Sequence, residues 1–202
     1  MQTVSRYVRP ALASDLPALA RLHAAYVDWL GRAASDTAAP WVLADDAPAA
    51  SPTSPAAASA AEEASLAGLS AARAASARGA HLLAAVEDEA PVGFVLSVPV
   101  QSPEAEQVTP QGLELAASAS AELAYLVVAP GAGEGHGERL LAALADVCRD
   151  ESHTALRAWV PTADQRLTEL LTDSGFAPAG VEVQLDAGAG APIKARLYAT
   201  TL

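Results

Sequence analysis

The sequence predicts a mixed α/β domain with about seven strands and about four helices. Two observations lead to this fold class. Short apolar runs rich in β-branched residues occur beside longer stretches in which apolar residues recur at helical spacing. The resulting order is a strand, two helices, three strands, a helix, a strand, a helix and two strands. A length of 202 residues suits one domain with a substantial core, so we assign residues 1–202 to a single domain.

The first part of the chain is predicted to supply one strand and two helices. RYVRPA at 6–11 reads as a strand, and Ser14 is placed to cap a helix over about 15–30. Residues 44–59, rich in Pro, Ala and Ser, are predicted to form a mobile loop inside the domain. A capping-box spacing at the end of that loop predicts a second helix over about 60–78.

The remaining elements follow from the same two patterns. Short turns join the second strand to the third and the sixth strand to the seventh, which indicates antiparallel pairs. In chain order, the predicted elements are strands 81–88, 91–100 and 121–129, a helix from 134 or 135 to about 150, a strand 155–160, a helix 163–174, and strands 181–186 and 193–202.

Residues 126–141, LVVAPGAGEGHGERLL, hold the most informative pattern in the chain. A β-branched apolar run stops at Pro130, and a helix-like pattern opens at Glu138. Between them, glycine recurs at the alternate positions Gly131, Gly133, Gly135 and Gly137. A strand, a glycine loop and a helix N-terminus together bind phosphates, because backbone N–H groups and the helix dipole both favour an anion. The segment is therefore predicted to bind a phosphate-bearing ligand, with a plain glycine-rich turn as the structural alternative.

Two common phosphate loops do not fit these residues. A Walker loop needs Lys followed by Ser or Thr after its last glycine, whereas Glu138 and Arg139 follow here. A dinucleotide fingerprint needs G-x-G-x-x-G, and from each start its third glycine position holds His136, Glu138 or Leu140. Both classes of site are therefore excluded.

The loop instead resembles the acetyl-CoA motif of the GNAT acyltransferase superfamily. The family pattern V-x-P is matched at 128–130, and [QR]-x-x-G-x-[GA] is matched, apart from its first position, at 132–137. The second family pattern, N-x-x-A-x-x-L-Y-x-x-x-G-F, falls in register at 164–176, and residues 7–11 resemble the first strand of the family. The resemblance covers most of the chain and is weakest over about 31–80.

This resemblance implies the GNAT fold, a twisted, mostly antiparallel sheet of about seven strands whose parallel strands 4 and 5 splay apart, flanked by about four helices. It also implies acetyl-CoA as a cosubstrate, without a metal. The pantetheine arm would lie in the gap and pair with the backbone of Leu126, Val127 and Val128. The other residues implied to hold the cofactor are Ala132, Gly133, Glu134, Gly135, His136, Gly137, Glu138 and Asp164.

Three positions that would contact the cofactor or act in catalysis depart from the family pattern. Ala132 stands at the usual Gln or Arg, where the loss is small because most of the pyrophosphate grip is main-chain N–H. Asp164 stands at the usual Asn and would place a charge near phosphates. Leu171 stands at the Tyr that commonly protonates the leaving thiolate, so the usual acid is missing. Tyr125 and Tyr198 are the remaining tyrosines on nearby strands.

The resemblance implies direct transfer of acetyl from acetyl-CoA to a primary amine, either a small molecule or the N-terminus of a peptide or protein. Glu122 is the candidate base, because its place on the fourth strand matches the catalytic Glu of the histone-acetylating branch. A surface carboxylate is the alternative for Glu122. Because Leu171 removes the usual acid, a catalytically degenerate domain that binds acyl-CoA as a sensor or interaction module is the alternative function. Trp29, Trp41 and Tyr26 either wall the acceptor pocket or lie in the core.

Overall charge and hydropathy limit the partners of the protein. A net charge of −12 and a pI near 4.6 argue against a nucleic-acid partner and are compatible with a cationic amine. No apolar run could span a bilayer and the start lacks a signal-peptide core, so we expect a cytoplasmic protein with no membrane partner.

Cys148 is expected to be a buried, inert thiol, and His23 a satisfied core or groove residue. No cluster with metal-ligand spacing occurs, and a homodimer is left open.

Overall fold

The structure is a computed structural model that describes residues 4–33, 55–100, 107–108, 114–115, 119–185 and 192–202. Its main sheet contains β1 (Arg6–Pro10), β2 (His81–Glu87), β3 (Ala90–Pro99), β4 (Ser120–Val128), β5 (Ala155–Pro161), β6 (Ala177–Leu185) and β7 (Ile193–Thr201). The helices are α1 (Leu16–Ala33), α2 (Pro55–Ala74), α3 (His136–Asp150) and α4 (Gln165–Asp173). A two-stranded ribbon pairs Gln107–Val108 with Glu114–Leu115.

The sheet has the order β1-β2-β3-β4-β5-β7-β6. Its pairs are antiparallel except that β4 and β5 run parallel. The expected fold class, with a mostly antiparallel sheet and parallel fourth and fifth strands, is therefore confirmed. Helices lie on both faces, so the sheet is the middle layer of the domain.

Three element bounds differ from the sequence expectation. The loop predicted at 44–59 is wrong in its last five residues, because α2 already begins at Pro55, a residue whose fixed φ suits the first helical turn. Residues 44–54 and Trp41 lie outside the described residues. At its other end α2 stops at Ala74, and a 3₁₀ turn leads to Gly79, whose φ of 81° ends the segment. β6 begins at Ala177, before the predicted start.

Strands β4 and β5 stay paired over a short distance only. Their register runs from Ser120 opposite Ala155 to Leu123 opposite Ala158, and no further pair is formed in the described chain. Beyond that point β5 continues alongside β7. On the other side of β4, the register with β3 shifts by one residue, so that Ala124 is the extra residue of a β-bulge. A gap therefore opens between β4 and β5 from Ala124 onward.

Two hydrophobic clusters cover the two faces of the sheet. On one face α3 and α4 bring Leu140, Leu144 and Leu171 against β4 and β5 residues such as Leu126. On the other face α1 and α2 pack on β2, β3 and β4 around Phe94. Cys148 lies fully buried in the first cluster, where burial raises the pKa of its thiol to about 11. Among the described helices, none is both long and apolar enough to cross a membrane.

Candidate functional site

A cleft of about 320 Å³ lies where the glycine loop, the last part of β4 and the start of α4 meet. It opens on the side where β4 has left β5. Its walls come from the end of β4, from the glycine loop with the start of α3, from α4 with its N-cap residue, and from α1. The residues that line it are Tyr26, Leu126, Val128, Gly133, Glu134, Gly135, His136, Gly137, Glu138, Asp164, Arg166, Leu167, Glu169, Leu170 and Asp173.

Most of the residues predicted for the cofactor meet in this cleft. Leu126 and Val128 line it, whereas Val127 is buried in the cluster on the opposite face of the sheet. Neighbouring residues of a strand point to opposite faces, so the side chain of Val127 cannot share the wall. Ala132 does not line the cleft, and its N–H is bonded to the Ala129 carbonyl at 3.2 Å. The predicted backbone contacts of these two residues stay predictions.

No side chain in the described part of the chain caps the N-terminus of α3. Gly135 is its N-cap residue, with a φ of 81° that glycine adopts without strain. Because glycine has no side chain, the first-turn N–H groups of α3 receive no cap from it, and the first-turn residues His136, Gly137 and Glu138 line the cleft. A Cβ on Gly137 would come within 2.8 Å of Leu170, so this glycine lets α3 pack against α4. The helix end can accept an anion.

A carboxylate from β2 holds the glycine loop in place. Glu87 accepts hydrogen bonds from the Gly133 N–H at 3.0 Å, from His136 Nε2 at 3.0 Å and from Arg6 Nε at 2.8 Å. The bonds from His136, Gly133 and Arg6 lower the pKa of Glu87 to about 2. The Gly133 N–H is therefore engaged by Glu87, although the loop was predicted to aim such groups at phosphate. Sequence reasoning missed Glu87, because nothing in its local pattern links it to Gly133 and His136, which are 46 and 49 positions away.

The side chain of His136 helps to hold the glycine loop, whereas its backbone lies beside the cleft. Its side chain is fully buried and donates through Nε2 to Glu87, and its Nδ1 is buried without a hydrogen-bond partner among the described atoms. The imidazole therefore does not reach into the cleft as a free base. A cofactor contact of His136, as predicted, would be made by its main chain.

Asp164 ties α4 to α1. Its Oδ1 accepts the Leu167 N–H at 2.9 Å, which caps α4, and its Oδ2 accepts the Tyr26 hydroxyl at 2.7 Å. Burial raises the pKa of Asp164, and burial and the adjacent carboxylate both raise the pKa of Tyr26. Tyr26 is buried, stacks on Trp29 with ring centroids 5.7 Å apart, and still lines the cleft. Tyr26 therefore belongs to the core, and its predicted alternative as a wall of the acceptor pocket stays a prediction.

The position of the tyrosine that commonly acts as the acid is occupied by a residue of the hydrophobic core. Leu171 is fully buried between α4 and the sheet, so no hydroxyl group stands at this point. Tyr198 is buried in the same cluster, and Tyr125 packs in the cluster of the opposite face. None of these three side chains lines the cleft.

Glu122 faces a buried arginine. Its Oε2 accepts from Arg157 Nε at 2.9 Å and lies 2.8 Å from Arg157 Nη2, and the two residues are register partners on β4 and β5. The Arg157 side chain is 6 % exposed and that of Glu122 is 23 % exposed. Because the neighbouring Ala121 and Leu123 lie in the α3 and α4 cluster, Glu122 is on the face of β4 that meets α1 and α2. Its role as base stays a prediction.

The cleft carries more negative than positive side chains. Arg166 is the cationic side chain among the described lining residues. Five carboxylates accompany it, from Glu134, Glu138, Asp164, Glu169 and Asp173. Four of the five are exposed and screened by water, whereas Asp164 is buried and hydrogen-bonded. No group of three potential metal ligands occurs among the described residues.

Comparisons with known proteins agree with this architecture. The sequence model of the Acetyltransferase (GNAT) family matches residues 41–176. Among solved structures, ribosomal-protein-alanine N-acetyltransferase of Brucella melitensis is similar at 22 % identity and a TM-score of 0.59, over 96 % of this chain and 99 % of that one. Phosphinothricin acetyltransferase of Sinorhizobium meliloti, in complex with AcCoA, is similar at 16 % identity and a TM-score of 0.63, over 98 % and 88 %.

A third structure, the PaiA N-acetyltransferase of Thermoplasma acidophilum in complex with coenzyme A, is similar at 14 % identity and a TM-score of 0.57, over 98 % of this chain and 99 % of that one. At these identities the likeness is one of fold. A comparison with curated proteins finds no match.

We expect Glu87→Gln to destabilise the protein in a pH-dependent way. Because the folded pKa of about 2 lies below the ordinary value of 4.5, the carboxylate contributes stability that is complete above pH 4.5 and is lost as the pH falls through 2. The difference in Tm between the wild type and Glu87→Gln, followed by circular dichroism, should therefore be constant from pH 8 to about 6 and shrink toward pH 3. Glu63→Gln, at an exposed site on α2, is the control. A difference of equal size at pH 7 and pH 3 would contradict the assignment.

Proposed function

The chain belongs to the GNAT acetyltransferase family, and from that premise we propose that it transfers an acetyl group from acetyl-CoA to a primary amine, on a small molecule or at the N-terminus of a peptide or protein. One observation carries the proposal. The cleft brings together an uncapped helix N-terminus and the part of β4 that has no β5 partner. The first suits a phosphate and the second suits an extended amide chain.

The chain's own groups fit the two parts of acetyl-CoA. The peptide-like amides of the pantetheine arm can pair with the backbone of β4 around Leu126 and Val128, as an added strand would. The pyrophosphate fits the N–H groups of the first turn of α3, at His136, Gly137 and Glu138. Because Glu87 already engages the Gly133 N–H, Gly133 supports the loop and is not itself a phosphate donor in this proposal.

Asp164 and Arg166 have different parts in this proposal. Both oxygens of Asp164 already accept hydrogen bonds, so its role is to hold α4 and Tyr26 in position beside the cofactor. Arg166 supplies a positive charge to the phosphates. The exposed carboxylates of the cleft oppose a polyanion only weakly in solvent of physiological ionic strength. Cofactor binding therefore depends chiefly on main-chain donors.

Direct attack of the amine on the thioester needs orientation, a proton acceptor and a donor for the oxyanion. Holding both reactants beside the same strand supplies the orientation. A backbone N–H near Val128 supplies the hydrogen bond that stabilises the tetrahedral oxyanion. Glu122 is the candidate acceptor of the proton that the ammonium loses before attack. When the tetrahedral intermediate collapses and the C–S bond breaks, the thiolate takes a proton from solvent or the one released by the nitrogen, because Leu171 has no hydroxyl.

A second candidate function is a domain that binds acyl-CoA without turnover. Two observations favour it. First, Leu171 is a buried core residue, so the tyrosine that commonly acts as the acid is absent. Second, the carboxylate of Glu122 is hydrogen-bonded to Arg157. This candidate shares the cofactor site and differs only in having no acceptor chemistry.

We expect acetyl-CoA to bind the purified chain with one-to-one stoichiometry and a Kd below about 1 mM in calorimetry. We also expect amine-dependent release of the CoA thiol in a screen of small amines and peptides, measured against a hydrolysis blank without amine. Binding with no thiol release for any amine would select the second candidate. No binding at about 1 mM would contradict both.

We expect Glu122→Gln to lower kcat by roughly 10² to 10⁴, because a general base contributes a factor of this size, while the Kd for acetyl-CoA stays unchanged. The Tm should also fall, because the ion pair between Glu122 and the buried Arg157 is lost. Glu182→Gln, which breaks the exposed ion pair with Arg196 on β7, is the control. Turnover per folded molecule equal to that of the wild type would assign Glu122 a structural role only.

A further inference from the structure

A second and larger cavity lies between α1, α2 and the opposite face of the sheet. Its volume is about 570 Å³, enough for a small organic molecule. Both helices, β3 and β4 contribute to its walls. The residues that line it are His23, Ala24, Val27, Asp28, Ala61, Ala64, Ser65, Gly68, Leu69, Leu96 and Tyr125.

This cavity and the acetyl-CoA cleft meet at the same stretch of β4. Tyr125 lines the cavity and the next residue, Leu126, lines the cleft, so the two spaces lie on opposite faces of one strand. Both residues come directly after the point where β4 leaves β5. Helix α1 also borders both spaces, because Tyr26 lines the cleft and His23, three residues earlier, lines the cavity. The cavity therefore lies on the side of β4 opposite the cleft, beside the stretch that has no β5 partner.

The wall supplied by α2 is made of small residues. Ala61, Ala64 and Gly68 recur on one face of the helix, and a Cβ placed on Gly68 would have no atom within 4 Å. Opposite them, Val27 of α1 and Leu96 of β3 supply apolar side chains. This space suits a hydrocarbon or aromatic body and gains from its burial.

One buried polar pair faces this apolar space. The Ser65 hydroxyl lies 3.0 Å from His23 Nδ1, and Ser65 is 8 % exposed. The His23 ring meets Tyr125 edge-on with centroids 4.4 Å apart, and its Nε2 is buried without a hydrogen-bond partner among the described atoms. His23 is thus satisfied at Nδ1, as expected for a core or groove residue, but not at Nε2 within the described part of the chain. In either tautomer of the imidazole, the Ser65 oxygen keeps a lone pair for another N–H donor.

The charges around the cavity restrict its ligand. Asp28 is the carboxylate that lines it, and it pairs with Arg32 at 3.0 Å near solvent. Burial lowers the pKa of His23, and burial raises the pKa of Tyr125, so both side chains are neutral near pH 7. With no cation among its described lining residues and a net charge of −12 on the chain, the cavity disfavours an anion. Because Asp28 is the single carboxylate among those described lining residues, the cavity also offers little to a polycation.

On the basis of the acetyltransferase function proposed above, we propose that this cavity binds the acceptor, that the acceptor is a monoamine carried on an uncharged apolar body, and that the Ser65 hydroxyl accepts a hydrogen bond from its nitrogen. The apolar body lies against the small residues of α2, and the nitrogen faces the gap that leads to the thioester. His23 is a positioning residue, because it fixes the Ser65 hydroxyl and does not itself meet the amine.

Filling the cavity tests the proposal. Gly68→Leu places a side chain in the cavity at a helical position where a Cβ meets no other atom, and Gly31→Leu makes the same change on α1 away from the cavity. The probe is 2-phenylethylamine, titrated by calorimetry into protein saturated with coenzyme A. We expect Gly68→Leu to weaken probe binding at least about tenfold and Gly31→Leu to leave it unchanged. Equal affinity for the probe in both variants, or no probe binding to the wild type, would overturn the proposal.

Turnover tests the polar anchor and the substrate class. With acetyl-CoA saturating, Ser65→Ala should raise the KM for 2-phenylethylamine at least about tenfold with a smaller change in kcat, whereas Ser70→Ala on the same helix should not. Spermidine should be a poorer acceptor than 2-phenylethylamine. Equal KM values in the two serine variants, or a preference for spermidine, would overturn the proposal. Failure of acetyl-CoA to bind the wild type would instead refute the proposed function itself, so the two failures are distinguishable.

Discussion

The site depends on the separation of β4 from β5 after only four paired residues. Up to Leu123 the two strands form an ordinary parallel ladder, and beyond it β5 pairs with β7 alone. The bulge at Ala124 changes the direction of β4 at the same point. Backbone N–H and C=O groups that point into the gap must find another partner, because an unpaired buried peptide group is costly. The gap is therefore both a space and a row of hydrogen-bonding groups.

Two long-range contacts keep the walls of this gap in place. Glu87 fixes the glycine loop to the β1 and β2 edge through Gly133 and His136, and Asp164 fixes the start of α4 to Tyr26 on α1. Each carboxylate accepts two or more hydrogen bonds and ties together parts of the chain that are far apart in sequence. They hold the loop and both helices at fixed positions, as a site that orients two reactants requires.

Much of the fold could be predicted because its signals are local. Alternating glycines after a β-branched run, and the in-register segment that ends at Phe176, identify the strand, loop and helix around the cleft. The partner of Asp164 could not be predicted, because Tyr26 is 138 positions away and the pairing exists only in the folded chain. The same holds for the bond of Gly133 to Glu87. The start of α2 was missed because Pro and Ala residues read as a loop, although Pro suits a first helical turn.

Amide hydrogen exchange tests most directly whether acetyl-CoA occupies the gap. With saturating acetyl-CoA, exchange should slow in β4 at 124–128 and at the start of α3, while β6 at the far edge of the sheet, residues 177–185, keeps its rate. Such a pattern would show the cofactor against the unpaired part of β4 and the uncapped helix end. Acetyl-CoA that binds without protecting either segment would contradict the account, because the ligand would then lie elsewhere on the molecule.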